Sequence, residues 1–155
     1  MKKIDLYTDG ACTGNPGKGG YGAVLIYYGV RKEISGGYIL TTNNRMELIA
    51  AIEALKKLKE PCEVNLYSDS KYLTDAINKG WLNSWKKNNW KKSDRKQVLN
   101  VDLWEELLTL MSIHSVNYIW VKGHAGNEFN EICDTLAVEA YTNSATLEDI
   151  GYKKE

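Results

Sequence analysis

Apolar and polar positions alternate over two short stretches that are near copies of one another. Ile4-Asp5-Leu6-Tyr7-Thr8-Asp9-Gly10 and Val64-Asn65-Leu66-Tyr67-Ser68-Asp69-Ser70 each read as a strand that stops at an aspartate followed by a small residue. Residues 21–28 and 31–40 flank Gly29 and predict two antiparallel strands joined by a tight turn. Helical spacing takes over next: Leu48, Ala51, Ile52, Leu55 and Leu58 form a buried stripe over residues 43–59, which Pro61 closes.

Residues 71–79, stopped by Gly80, predict a short helix. Residues 101–111 predict a later one with Leu103, Leu107 and Leu110 on its face, and 116–121 another strand. A last long helix, about 127–141, buries Phe129, Ile132, Cys133, Leu136, Ala137 and Ala140, and the tail from about 142 reads as loose. Strands interspersed with helices predict the α/β class, a mixed sheet with helices packed on it, and the only internal echo is the paired strand ends. Ligands of open α/β sheets gather at the carboxyl ends of strands, where both aspartates lie.

The 155 residues, 43% apolar and 26% charged, suit one soluble domain and exclude disordered, collagenous and low-complexity chains. Twenty basic and twenty acidic side chains cancel, which taken as an average argues against a nucleic-acid partner. The charge is segregated, however. Lys86, Lys87, Lys91, Lys92, Arg95 and Lys96 face one acid, Asp94, in the window 81–100, so that window carries +5 and the remainder −5. Cys12, Cys62 and Cys133 have no metal-binding spacing and are odd in number, which predicts a reducing, cytoplasmic setting. Acids at positions 5 and 9 interrupt the start before any signal-like run, and no apolar stretch is long enough to span a membrane.

Taken singly, each acid has an ordinary role. Asp9 and Asp69 can form turns or cap helices, Glu47 can complement a helix dipole near the N-caps Asn43 and Asn44, and Asp134 can sit at the surface of the last helix. Pairing changes the balance, because two like strands set side by side would bring Asp9 and Asp69 to one sheet edge, where they repel unless a cation lies between them. Asp9, Glu47, Asp69 and Asp134 together offer hard oxygen ligands without a His/Cys cluster, the preference of Mg²⁺ or Mn²⁺, and one or two such ions suit phosphate chemistry. His124, in the glycine-flanked loop Val121-Lys122-Gly123-His124-Ala125-Gly126, is a candidate proton shuttle ahead of Asp134, whereas His114 reads as structural.

Gly17-Lys18-Gly19-Gly20-Tyr21-Gly22 satisfies the dinucleotide pattern GxGxxG, but residues 23–28 read as a strand and not a helix, so the match is rejected. A tight turn remains, either a plain one or one whose backbone approaches a substrate. Trp81, Trp85 and Trp90 interleave with the basic residues, a mixture suited to phosphate contacts and to sugar or base packing. Trp104 reads as core.

Six segments recur in order: Thr8-Asp9-Gly10, Gly14-Asn15-Pro16-Gly17, Thr41-Thr42-Asn43-Asn44-Arg45-Met46-Glu47-Leu48, Ser68-Asp69-Ser70, Val121-Lys122-Gly123-His124-Ala125-Gly126, and Asn130-Glu131 with Cys133-Asp134. With that spacing the chain resembles ribonuclease H of the type 1, bacterial kind, over residues 3–152. The resemblance implies a five-stranded mixed sheet in βββαβαβα order, its first strand central and helices on both faces. A monomer without an obligate protein partner is the default expectation. The implied activity is sequence-nonspecific, endonucleolytic hydrolysis of the RNA strand of RNA/DNA hybrids.

The same resemblance implies a catalytic set of Asp9, Glu47, Asp69, His124 and Asp134, the four acids holding Mg²⁺ or Mn²⁺. Substrate-binding positions would be Gly10, Cys12, Asn15, Thr42, Asn43, Asn44, Lys71, Trp81, Trp85, Lys86, Lys87, Lys91 and Lys92, with Thr42 and Asn15 in a phosphate pocket and 81–100 a basic protrusion. Two positions depart from the pattern: Lys71 stands where many relatives carry Gln, and Lys18 replaces a common Pro. A recombinase-like or junction-resolving DNA nuclease would lack the basic window here. A non-catalytic hybrid-binding module would gain nothing from four carboxylates facing a phosphate backbone.

Overall fold

The computed structural model describes residues 1–123 and 126–153. Strand β1 (Lys2–Cys12) pairs antiparallel with β2 (Gly17–Tyr27), and β2 with β3 (Val30–Thr41). Helix α1 (Asn43–Lys56) then crosses to β4 (Cys62–Ser68), which lies parallel to β1 on its other side. Three helices follow, α2 (Lys71–Asn78), α3 (Trp81–Lys87) and α4 (Val101–Ile113), before β5 (Ser115–Trp120), parallel to β4. Helix α5 (Glu128–Ser144) and a short β6 (Ala145–Leu147) complete the chain. The sheet order is β5-β4-β1-β2-β3-β6, so β1 lies inside it, as expected.

The sixth strand corrects the expectation of five and of a loose tail. The last helix runs on to Ser144, and β6 adds parallel to β3, opposite Gly37 and Tyr38. Beyond β6, Asp149 turns inward and accepts from Arg45 Nε at 2.7 Å, from Arg45 Nη2 at 2.9 Å and from the Thr41 hydroxyl at 2.7 Å. Arg45 also donates to both oxygens of Asp102 at the start of α4. The Arg45 and Asp149 side chains are only 3% and 4% exposed. Sequence periodicity carries no sign of this anchor, because a single buried ion pair has no repeat.

The glycine-rich segment also differs from expectation. It is already strand from Gly17, and its glycines let helices touch the sheet. A Cβ at Gly20, Gly22 or Gly37 would run into the backbone carbonyls of Ala137, Cys133 and Ala140, so α5 rests directly on one face. Gly19 and Gly10 face the opposite side, toward Met46 of α1. There α1 and α4 pack together with α2 and α3 beside them over one apolar core, in which Trp104, Leu6, Leu48 and Leu66 are fully buried. His114 is structural as read: its Nδ1 accepts from the Cys62 N–H at 3.0 Å, and burial lowers its pKa, which keeps it neutral.

Helix α1 is capped by Thr42, whose hydroxyl accepts from the Arg45 N–H at 3.3 Å, and not by Asn43 or Asn44, which form its first turn. Replacing Asp149 with Ala leaves the buried Arg45 without its least exposed partner. The expected loss is about 3 kcal/mol, seen as a lower urea midpoint at unchanged slope.

Candidate active site

Parallel pairing of β1 with β4 puts Leu6 opposite Leu66 and Tyr7 opposite Tyr67, whose rings stack with centroids 4.6 Å apart. Two residues beyond that last pair come the two aspartates, Asp9 on β1 and Asp69 directly after β4. Glu47, from the second turn of α1, reaches the same point: its Oε1 accepts from the Gly10 N–H at 2.7 Å. The closeness depends on Gly10, since a Cβ there would lie 2.5 Å from the Glu47 nitrogen. One carboxylate oxygen from each of Asp9, Glu47 and Asp69 lies within 4.8 Å of the others.

The second helix face supplies Asp134. Phe129 packs on Tyr7 at 5.0 Å between centroids, and the Cys133 thiol donates to the Tyr7 carbonyl at 3.2 Å, which pins the start of α5 over β1. Asp134 follows at once. It is near enough for its charge to act on Asp9, although it is not part of the tight group of three.

Asp9 and Glu47 are buried, and Asp69 is half-buried. Burial, then the charges of Asp69 and Asp134, pushes Asp9 up to about 8. Burial and the Asp9 charge likewise raise Glu47 well above the usual carboxylate range, against the lowering effect of the Gly10 N–H. The cluster therefore stores repulsion that a cation relieves. Its donors are all oxygens, a set that fits a hard divalent ion.

Other expected site residues fall into two groups. Asn15 Oδ1 accepts from the Asn43 N–H at 2.8 Å, tying the β1–β2 turn to the N-terminus of α1. Asn15, Thr42, Asn43 and Asn44 line a cavity of about 930 Å³ together with Asn100, Tyr152 and Lys153. The Cys12 thiol points back at the carbonyls of Gly14, Gly17 and Thr41 beside this cavity.

On the other side, Lys71 lies 4.9 Å from the centre of the Trp120 ring, and Trp85 packs edge-on against Trp104 at 5.9 Å. Trp81 is exposed under Lys79, and Lys86, Lys87, Lys91 and Lys92 are exposed on α3 and the turns after it. Gly10 is used from within, its N–H spent on Glu47. His124 lies outside the described residues.

Sequence reading missed Asn100, the cavity walls from the tail, and Trp120. Asn100 had a local signal: it holds a left-handed conformation, φ 61°, directly before α4, which Asn tolerates better than most residues. Tyr152 and Lys153 had none, since only the tail's docking brings them there.

A parallel strand pair carrying clustered carboxylates, flanked by polar and basic surface, defines a nuclease-type site. The RNase H family profile matches residues 1–142. The chain is 58% identical over 152 residues to the ribonuclease H of Syntrophus aciditrophicus strain SB, covering 98% of this chain and 88% of that one. Among solved structures it resembles LC9-RNase H1, a type 1 RNase H with the type 2 active-site motif, at TM-score 0.82 and 32% identity, covering 98% of this chain and 79% of that one. It also resembles LC11-RNase H1 in complex with an RNA/DNA hybrid, at TM-score 0.68 and 25% identity, covering 92% and 99%. The chain belongs to the ribonuclease H family.

Raised carboxylate pKa values fix the sign of a pH effect. In the absence of divalent ions the folded chain holds protons on Asp9 and Glu47 that the unfolded chain has released, so the cluster costs progressively more stability as pH rises from about 4 toward 8. Asp9→Asn is expected to melt higher than wild type in EDTA, on the order of 5 °C at pH 8. The gap should shrink toward pH 4 and on adding Mg²⁺, as read by calorimetry.

Proposed function

We infer that the acid cluster is the catalytic centre of this ribonuclease H, at which the RNA strand of an RNA/DNA hybrid is cut by in-line attack of water, leaving 5′-phosphomonoester ends. The observation that carries this reading is the meeting of Asp9, Glu47 and Asp69 within 4.8 Å in a chain of this family. The solved relative in complex with an RNA/DNA hybrid supports the substrate. Mg²⁺ is the assigned ion and Mn²⁺ its substitute, one or two per site, with Asp9, Glu47, Asp69 and Asp134 as ligands. When bound, such an ion activates water and offsets the charge of the phosphate.

The chain's own contribution is position. Gly10 donates to Glu47 and orients it, and α5 brings Asp134 near enough for its charge to act on Asp9. His124, between β5 and the helix of Asp134 in the sequence, serves as proton carrier or aids product release. Asn15, Thr42, Asn43 and Asn44 form a polar wall that meets the hybrid, with Cys12 beside it, and Asn15 and Thr42 take a phosphate of the DNA strand. Lys71 on α2 and Trp81 and Trp85 on α3 extend that contact. Lys86, Lys87, Lys91 and Lys92 add sequence-independent attraction to phosphates.

RNA is told from DNA by its 2′-hydroxyls across a wide minor groove, so no sequence readout is expected. The same reading has the chain act as a monomer and a single domain, and its free cysteines Cys12, Cys62 and Cys133 suit a reducing cytoplasm. Among the described residues no helix is long and apolar enough to cross a membrane.

The test is cleavage of end-labelled RNA/DNA, RNA/RNA, DNA/DNA and single-stranded RNA of one sequence, each with Mg²⁺ and with EDTA. Cutting confined to the RNA of the hybrid and dependent on the ion is expected. Asp9→Asn should lose at least about a thousandfold in kcat and still bind hybrid. Cutting of DNA/DNA, or full activity of Asp9→Asn, would overturn the reading. Neutralising Lys86, Lys87, Lys91 and Lys92 together should raise KM far more than it lowers kcat. It should also flatten the salt dependence of hybrid binding by about 3 in log–log slope.

A further inference from the structure

Trp120 has no part in the site as read from the sequence, yet it touches that site twice. It ends β5, opposite Ser68 in parallel register. Its indole N–H donates to the backbone carbonyl of Asp69 at 3.1 Å, and the Lys71 ammonium lies 4.9 Å from the centre of its ring. Trp120 stays 43% exposed, so burial of apolar surface accounts for only part of its placement. Its polar edge and its π face are both in use.

Asp69 stands between two rigid elements. Ser68 closes β4, its carbonyl accepting from the Val121 N–H at 2.9 Å, and Ser70 caps α2 by accepting from the Leu73 N–H at 3.2 Å. The first backbone bond of α2 is accepted by Ser70, from Thr74, which leaves the Asp69 carbonyl to the indole. Asp69 is also the least buried of the three clustered acids, the one that repulsion from Asp9 and Glu47 can push outward. On its far side Gly123 sits so close that a Cβ there would lie 2.8 Å from Asp69 Oδ2.

We propose that Trp120 is a positioning residue for the acid cluster: its indole N–H holds the Asp69 backbone so that the carboxylate stays with Asp9 and Glu47, and its ring holds the Lys71 ammonium at the rim, ready for a substrate phosphate. This rests on the cluster being the ion site. A lysine already parked on a ring loses less side-chain freedom when it meets the phosphate than one moving freely in water.

Calorimetric titration of Mg²⁺ without substrate tests the first half. Trp120→Phe keeps an aromatic ring beside Lys71 but lacks the indole N–H, and it should weaken Mg²⁺ binding by roughly threefold to tenfold, the worth of one hydrogen bond, with little change in melting temperature. Wild-type affinity in Trp120→Phe would overturn it. Asp69→Asn is the control: a wild-type chain that binds Mg²⁺ no better than Asp69→Asn would overturn the reading of the cluster and this inference with it.

The second half is tested by the KM for hybrid of Lys71→Met, alone and combined with Trp120→Leu. A smaller rise in KM in the Leu background is expected, and additive rises would overturn the coupling. The calorimetric test does not use the Leu variant and so stands whether or not that variant folds.

Discussion

Everything at the site depends on the register between β1 and β4. Because the strands run parallel with Tyr7 opposite Tyr67, two aspartates two residues further on come to the same edge of the sheet. A slip by one residue would turn one of them to the other face. The apolar partners inside the sheet, Leu6 with Leu66 and Ile4 with Val64, make that slip costly, so the core specifies the geometry of a charged cluster that it does not contain.

Holding like charges together carries an electrostatic cost, and the surrounding contacts are of the kind that bear it. Glu47 is met by a backbone N–H, α5 is tied to β1 through Cys133 and Phe129, and Asp69 is fixed between a strand end and a helix cap. Glycines recur at these points for a steric reason. Gly10 lets α1 come down onto β1, and Gly20, Gly22 and Gly37 let α5 come down onto the other face. The two helices bearing Glu47 and Asp134 thus approach the strand ends more closely than side chains would permit.

The N-terminal end of α1 is organised by a buried ion pair. Arg45 sits two residues before Glu47 on α1 and binds both Asp102 at the start of α4 and Asp149 in the tail. The same links that hold the tail to the fold also set the walls of the cavity that Thr42 and Asn15 enter. Stability and the proposed substrate surface share one network there.

Much of this was legible in the sequence because it is periodic or local. The alternation in the twin strands, the stripe of α1, the all-oxygen chemistry of the acids and the basic window could be read directly, and the ordered motifs named the family. The structure extends the sheet by β6, docks the tail, moves the cap of α1 to Thr42 and turns a suspected glycine loop into strand. Those features rest on contacts between residues far apart in the chain, such as Arg45 with Asp149 or Gly22 with Cys133, and no window of sequence contains both partners. The sequence by itself determined which residues can bear charge, bind an ion and meet a phosphate. Only the tertiary structure decided which of them meet, and that Trp120 stands behind Asp69, because depth, repulsion and orientation exist only once distant segments share one volume.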